Sequence, residues 1–235
     1  MSEPIVVKTV EELKAAPPEY RDAVAKLVIS HAVNELYGAQ VFDEPAIAYA
    51  PTPYAKWLTC RVAMEEYGHH VRFKQLGQQI GIAEERMMPS ASKRPLSIFE
   101  FPLKTWEEFV AIKLLADLAE ILQVEDLLHC TFHPLRNLAR ATMPEERFHA
   151  QFGEDFSAEL VKTPEGKAKL QAAVNAYWPY LPSFFGGSKS RNNEIFRKWK
   201  IKQRSNDEMR EDYVKRATEV AAKYGLSLPP VQKVA

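Results

Sequence analysis

Four long stretches of this chain carry apolar residues at helical spacing, and a carboxylate breaks each stripe. Val24, Leu27, Val28, His31 and Glu35 share one face of a helix expected over about 18–42. Leu58, Val62, Glu66, His69, Phe73, Leu76 and Ile80 share one over about 53–80. Val110, Leu114, Asp117, Ile121, Val124 and Leu128 line a third, which begins at the capping box Thr105-Trp-Glu-Glu108. Leu135, Leu138, Thr142, Glu146, His149, Phe152, Phe156 and Leu160 line a fourth, over about 135–160. Helices of this length and patterning predict an antiparallel four-helix bundle. Unpaired carboxylates inside such a bundle are costly to desolvate and repel one another, so a cation must sit among Glu35, Glu66, Asp117 and Glu146.

Two of the helices also supply an imidazole. Glu66-Tyr-Gly-His69 and Glu146-Arg-Phe-His149 place a Glu and a His on one helix face at i, i+3. A single Glu-x-x-His is weak, because about one is expected by chance in a chain of this size, and taken alone it reads as a solvated helix face. Two of them on apolar stripes, with Glu35 31 residues before the first and Asp117 29 before the second, form the ligand pattern of a di-iron or di-manganese carboxylate site.

The rest of the sequence bounds the setting. Few glycines and no sustained strand alternation predict an all-α chain, read as a single domain over 1–235. The bundle core is expected at about 18–160 and further helices at about 165–225. With 31 basic and 31 acidic residues the net charge is zero, which disfavours a nucleic-acid binder. Two separated cysteines, no membrane-length apolar run and no signal pattern at the start predict a cytoplasmic protein. Cys60 and Cys130 are expected as small core residues. Glu65 and His70 are expected to point away from the site. His31 is either a core histidine or a support for the ligands. Glu120, one turn after Asp117, is an alternative ligand, a neighbour of the ligands, or exposed. Asp126, His129 and His133 have a spacing that would allow a metal but no partner helix, and are expected as a capped, solvated helix end. Pro144, two residues before Glu146, predicts a kink. The long 81–104 connection, rich in Pro and Ser, is expected to serve function.

This frame resembles the catalytic subunits of the phenylacetic acid catabolism family of ferritin-like proteins. The segments that carry the resemblance are His31-Ala-Val-Asn-Glu35-Leu-Tyr-Gly-Ala-Gln40, Glu66-Tyr-Gly-His69, Ser97-Ile-Phe-Glu-Phe-Pro102 with Thr105-Trp106, Leu115-Ala-Asp117, Glu145-Glu146-Arg-Phe-His149, and Trp199-Lys-Ile-Lys202 with Asn206-Asp-Glu208. It implies a ferritin-like four-helix bundle with additional C-terminal helices. It implies two irons held by Glu35, Glu66, His69, Asp117, Glu146 and His149. It implies O2 activation with electrons from a separate reductase, and an acyl-CoA substrate near Lys26, Ser97, Asn192 and Lys202. The expected reaction is insertion of one oxygen atom, as epoxidation of a phenylacetyl-CoA-like ring. The expected partners are the reductase and a related ferritin-like subunit, or further copies of the chain. The alternatives are a ferroxidase and a non-catalytic scaffold subunit. Where the family has Arg, this chain has Lys26, and the segment after Asp117 is bulkier here, Leu118-Ala-Glu120.

Overall fold

The computed structural model describes residues 5–90 and 97–230, and among these the chain is helical without a strand. A short α1 (Val10–Ala15), capped by Thr9, leads into α2 (Pro18–Gly38). A wide π-helical turn at Ala39–Asp43 follows, and then α3 (Glu44–Tyr49). The other long helices are α4 (Pro53–Gln79), α5 (Trp106–Leu127) and α6 (His133–Leu160). The first predicted helix therefore ends as an α-helix at Gly38 rather than near 42. The capping boxes at Thr105 and Ser205 form as the sequence requires. α6 continues through Pro144, whose ring lies on the exposed side.

Two apolar clusters fix the directions of the four helices. Along α2, Val24–Val33 belong to one cluster, and Phe42, just past the helix, belongs to the other. Along α4, Ala55 and Val62 lie in that second cluster, and Phe73 and Leu76 return to the first. α5 follows the direction of α4, and α6 that of α2. Since α4 and α5 run the same way, their connection must travel the length of the bundle, about 40 Å for a helix of 27 residues at 1.5 Å each. The long 81–104 link thus has a topological cause, the single crossover of ferritin-like folds. On α4 the apolar clusters part between Val62 and Phe73, and on α6 between Met143 and Phe152. Glu66, His69, Glu146 and His149 fall in these gaps.

α5 is buried on every side from Phe109 to Asp117, as expected for a helix apolar all round. It approaches α6 closely at Gly153, where a Cβ would lie 2.4 Å from the Leu114 nitrogen. Covering α5 are α7 (Pro164–Tyr177), a 3-10 segment at Trp178–Phe185 and α9 (Asn206–Lys223), while α8 (Arg191–Lys198) packs against α2. The Tyr213 hydroxyl donates to the Leu115 carbonyl at 3.1 Å. Buried Asp126 ties down the turn between α8 and α9, accepting from the backbone N–H groups of Gln203 at 2.9 Å and Arg204 at 3.2 Å. Asp126 is thus an anchor, not part of a solvated helix end, while His129 is exposed. No helix among the described residues is long and apolar enough to cross a membrane.

Candidate metal centre

Glu35, Glu66, His69, Glu146 and His149 meet between the apolar clusters, and Asp117 lies beside them against Lys113, all six at least nine-tenths buried. His69 Nδ1 lies 3.5 Å from Glu35, 3.5 Å from Glu66 and 3.2 Å from Glu146. His149 Nδ1 lies 3.1 Å from Glu66 and 3.9 Å from Glu146. Glu66 and Glu146 therefore face both rings, and Glu35 faces His69. Glu35, His69 and Glu146 offer ligand atoms within 4.8 Å of one another, as do Glu66, Glu146 and His149. Each group could hold one ion, and the two groups share Glu146.

Several polar atoms of the centre make no hydrogen bond. His69 Nδ1, His149 Nδ1, Asp117 Oδ2 and both Glu146 oxygens are buried with no hydrogen-bond partner. Buried polar atoms are nearly always paired, and here both imidazole nitrogens face the two unpaired Glu146 oxygens across one space. Imidazole nitrogens and carboxylate oxygens are donors suited to divalent iron or manganese, so the residues present fit such a group.

The outer face of each ring is held across the bundle. His69 Nε2 meets Glu145 at 2.9 Å, and His149 Nε2 meets Glu65 at 2.9 Å. Each holding carboxylate directly precedes the inner Glu of the opposite helix. Arg72 in turn engages Glu145, and Arg61 engages Glu65 at 2.8 Å. A carboxylate on the outer nitrogen fixes the ring and raises its basicity toward a metal. Glu65 therefore supports the centre instead of pointing away from it, whereas His70 is spent on the Ala32 carbonyl at 2.7 Å. The missed signal was the doubled carboxylate: both motifs read Glu-Glu-x-x-His. Replacing Glu65 or Glu145 by Ala leaves every inner group in place and is expected to weaken metal affinity about 10–100-fold. Competition with a coloured chelator reads this, and unchanged affinity in both variants would contradict it.

A lysine shares the centre. Lys113, buried on α5, lies 3.0 Å from Asp43, 3.1 Å from Glu66 and 3.2 Å from Asp117. The π-helical turn after α2 delivers Asp43, and such turns often mark functional sites. Neither Lys113 nor Asp43 was picked out from the sequence, although a lysine inside the otherwise apolar stretch 109–116, four residues before Asp117, was a visible signal. Asp117 thus gives one oxygen to Lys113 and keeps the other free. Glu120, half-buried, groups instead with His31 and Glu35. The His31 ring stacks on Phe73 with centroids 4.8 Å apart.

The crowding of charge shifts these groups. Burial, reinforced by the charges of Glu66 and Glu35 against that of His69, pushes the Glu146 carboxyl up to about 8. Burial likewise raises Asp117 to about 7 against the pull of Lys113. Burial would lower His149, but the Glu66 charge and the Glu65 hydrogen bond bring it up to about 10. A cation entering the centre would displace protons from these groups.

A track of cavities leads outward. The innermost is walled by Phe42, Phe99, Ile112 and Phe184 beside Glu35, Glu66 and Asp117. A second shares Asn34, Glu35, Glu120 and Phe184 with it and reaches Asn192 and Lys202. A third shares Asn192 and Phe196 with the second and adds Lys26 and Arg191. Lys26 Nζ donates to Asn192 Oδ1 at 3.2 Å. Lys202 Nζ donates to Gln123 Oε1 at 2.6 Å, and burial lowers its ammonium to about 8. Three of the four residues expected near substrate therefore line one track. Ser97 opens a short 3-10 turn at Ser97–Glu100, and its side chain lies outside the described residues. Cys130 is buried as expected, whereas Cys60 is exposed on α4.

A family model described as phenylacetic acid catabolic protein matches residues 1–235. One of the subunits of 1,2-phenylacetyl-CoA epoxidase from Escherichia coli (strain K12) is 27% identical over 219 residues, covering 91% of this chain and 71% of that protein. A solved structure from Synechococcus, a protein with aldehyde deformylating oxidase activity, aligns with a TM-score of 0.67 at 16% identity. The alignment covers 90% of this chain and 93% of the other. At that identity the likeness speaks for the ferritin-like fold alone.

Proposed function

The chain belongs to the phenylacetic acid catabolic protein family, and on that footing we propose that it is the di-iron catalytic component of a multicomponent oxygenase acting on an acyl-CoA. The observation that carries the metal part is the set of unpartnered inward atoms on His69, His149, Asp117 and Glu146. In this reading Glu35, Glu66, His69, Asp117, Glu146 and His149 hold two irons, with Asp117 using its free oxygen. Iron held by these residues would supply the O2-reducing chemistry; with two electrons from a separate reductase and two protons, one oxygen atom would enter the substrate and the other would leave as water. Glu65 and Glu145 keep both imidazoles aimed inward. Lys113 balances Asp43, Glu66 and Asp117. Phe42, Phe99 and Phe184 keep bulk water from the reacting end. The acyl group would pass the neck between Glu120 and Phe184, with the CoA phosphates outside, near Lys26, Arg191 and Lys202. The name of the Escherichia coli relative favours an aromatic ring as acceptor and epoxidation as the reaction. It also favours other subunits as partners.

A ferroxidase would need the ligands but not the track, which is why the oxygenase reading is preferred. With a reductase and NADH, O2 uptake should rise on addition of phenylacetyl-CoA. Uptake driven equally by free Fe(II) and indifferent to acyl-CoA would favour the ferroxidase. Lys202→Ala should weaken CoA-thioester binding about 10-fold, as loss of one charge-assisted contact, and leave iron content unchanged. Because the Lys202 ammonium is held near 8, wild-type affinity should fall as pH rises through that value and the variant's should not. Equal affinity in the two proteins would remove Lys202 from the substrate path.

A further inference from the structure

α4 has two apolar faces. The inner one carries Glu66 and His69. The outer one leaves Tyr54, Trp57, Met64 and Val71 exposed at 64%, 62%, 67% and 43%. Their steps of three, seven and seven are the first and fourth positions of a heptad, and Arg61 and Gly68 fill the places between. The outer face of a bundle helix is ordinarily charged, and an apolar strip broken by one arginine, Arg61, marks a contact surface.

We propose that this strip pairs with the same strip of a second copy of the chain, the two α4 helices packing antiparallel about a two-fold axis between residues 61 and 64. An antiparallel seam sets first positions against fourth positions. Tyr54 then faces Val71, Trp57 faces Gly68 and Arg61 faces Met64, each layer occurring twice by symmetry. The sizes agree, because the largest side chain meets the residue that has none. Above Gly68 a Cβ would meet only the Arg72 guanidinium, at 3.6 Å.

The charges agree as well. Arg61, nearest the axis, carries its own counter-ion, Glu65, at 2.8 Å. Arg72 is engaged by Glu145, and Lys74 by Glu84 at 3.0 Å. The strip is therefore neutral and meets its own copy without unpaired like charges. An aromatic side chain contributes 150–250 Å² when covered, so the seam offers roughly 400–500 Å² of apolar surface per copy. The flanks of a 27-residue helix extend this toward the roughly 800 Å² per partner of a standard interface. This pairing is independent of the metal reading.

Analytical ultracentrifugation of the purified chain at micromolar concentration tests it. The wild type should sediment as a dimer. Met64→Glu should sediment as a monomer with unchanged helicity, since Met64 is a solvent-facing residue of the single chain. In a Cys60→Ser background, mild oxidation should cross-link the Trp57→Cys, Gly68→Cys double variant into a covalent dimer and leave either single variant uncross-linked. A monomeric wild type, or a dimer that survives Met64→Glu, overturns the proposal. A monomer that captures another ferritin-like protein through Met64 overturns the choice of a second copy as occupant.

Discussion

Glu146→Gln is expected to make the metal-free protein more stable and the metal-loaded protein inactive. Glu146 is almost fully buried, faces both imidazoles, and has two oxygens without hydrogen-bond partners. Its carboxyl is pushed up to about 8, from an ordinary value of 4.5. A carboxyl raised in the folded state contributes fully below its unfolded value, and that contribution is lost as pH rises through the folded one. Wild-type metal-free protein should therefore lose stability between about pH 4.5 and pH 8, a loss the amide does not share. At pH 8 the variant should gain on the order of 1–3 kcal/mol, a rise in Tm of roughly 2–4 °C per kcal/mol for a chain of this size. Iron content should fall by at least one ion, and turnover by a factor on the order of 10³ for loss of a shared ligand. Melting curves with and without Fe(II), across that pH range, check both halves. A variant less stable than wild type without metal would mean that Glu146 has a fixed partner in the fold.

Lys113→Met should do the opposite. Methionine matches the apolar stem of lysine but leaves Asp43, Glu66 and Asp117 facing one another without a counter-ion. Removing one partner from a buried ionic cluster costs about 3–5 kcal/mol, which lowers the metal-free Tm by roughly 6–20 °C. Added divalent metal should recover much of the loss, because a cation bound by Glu66 and Asp117 replaces the missing charge. Asp43→Asn in the same background should recover part of it without metal. Equal destabilisation with and without metal would show that Lys113 only fills space.

What was legible in the sequence is what repeats along a helix. The stripes through Glu66, His69, Glu146 and His149 are visible because a charged residue at an apolar position is conspicuous on a period of 3.6, and they gave the four helices and the ligand frame. The supports were hidden for the same reason. Glu65 and Glu145 each sit one residue off their stripe, where a charge looks solvated, and only the packing of α4 against α6 brings each to the other's imidazole. Asp43 reaches the centre through a π-helical turn, which no period of 3.6 foresees. Asp126 looked like part of a helix end because its partners, the N–H groups of Gln203 and Arg204, arrive from a distant turn. The crossover direction of α4 and α5 was not legible either, since a long connection alone does not separate a functional loop from a structural one.

The proposed centre holds two irons between His69 and His149. Its most direct measurement is the iron content and Mössbauer spectrum of protein loaded anaerobically with Fe(II), for the wild type and for His69→Ala and His149→Ala. The wild-type chain should hold two irons, spin-coupled after oxidation, and each variant should lose the coupled signal. A folded wild-type chain that takes up no iron, or that keeps its coupled pair without either histidine, would contradict it.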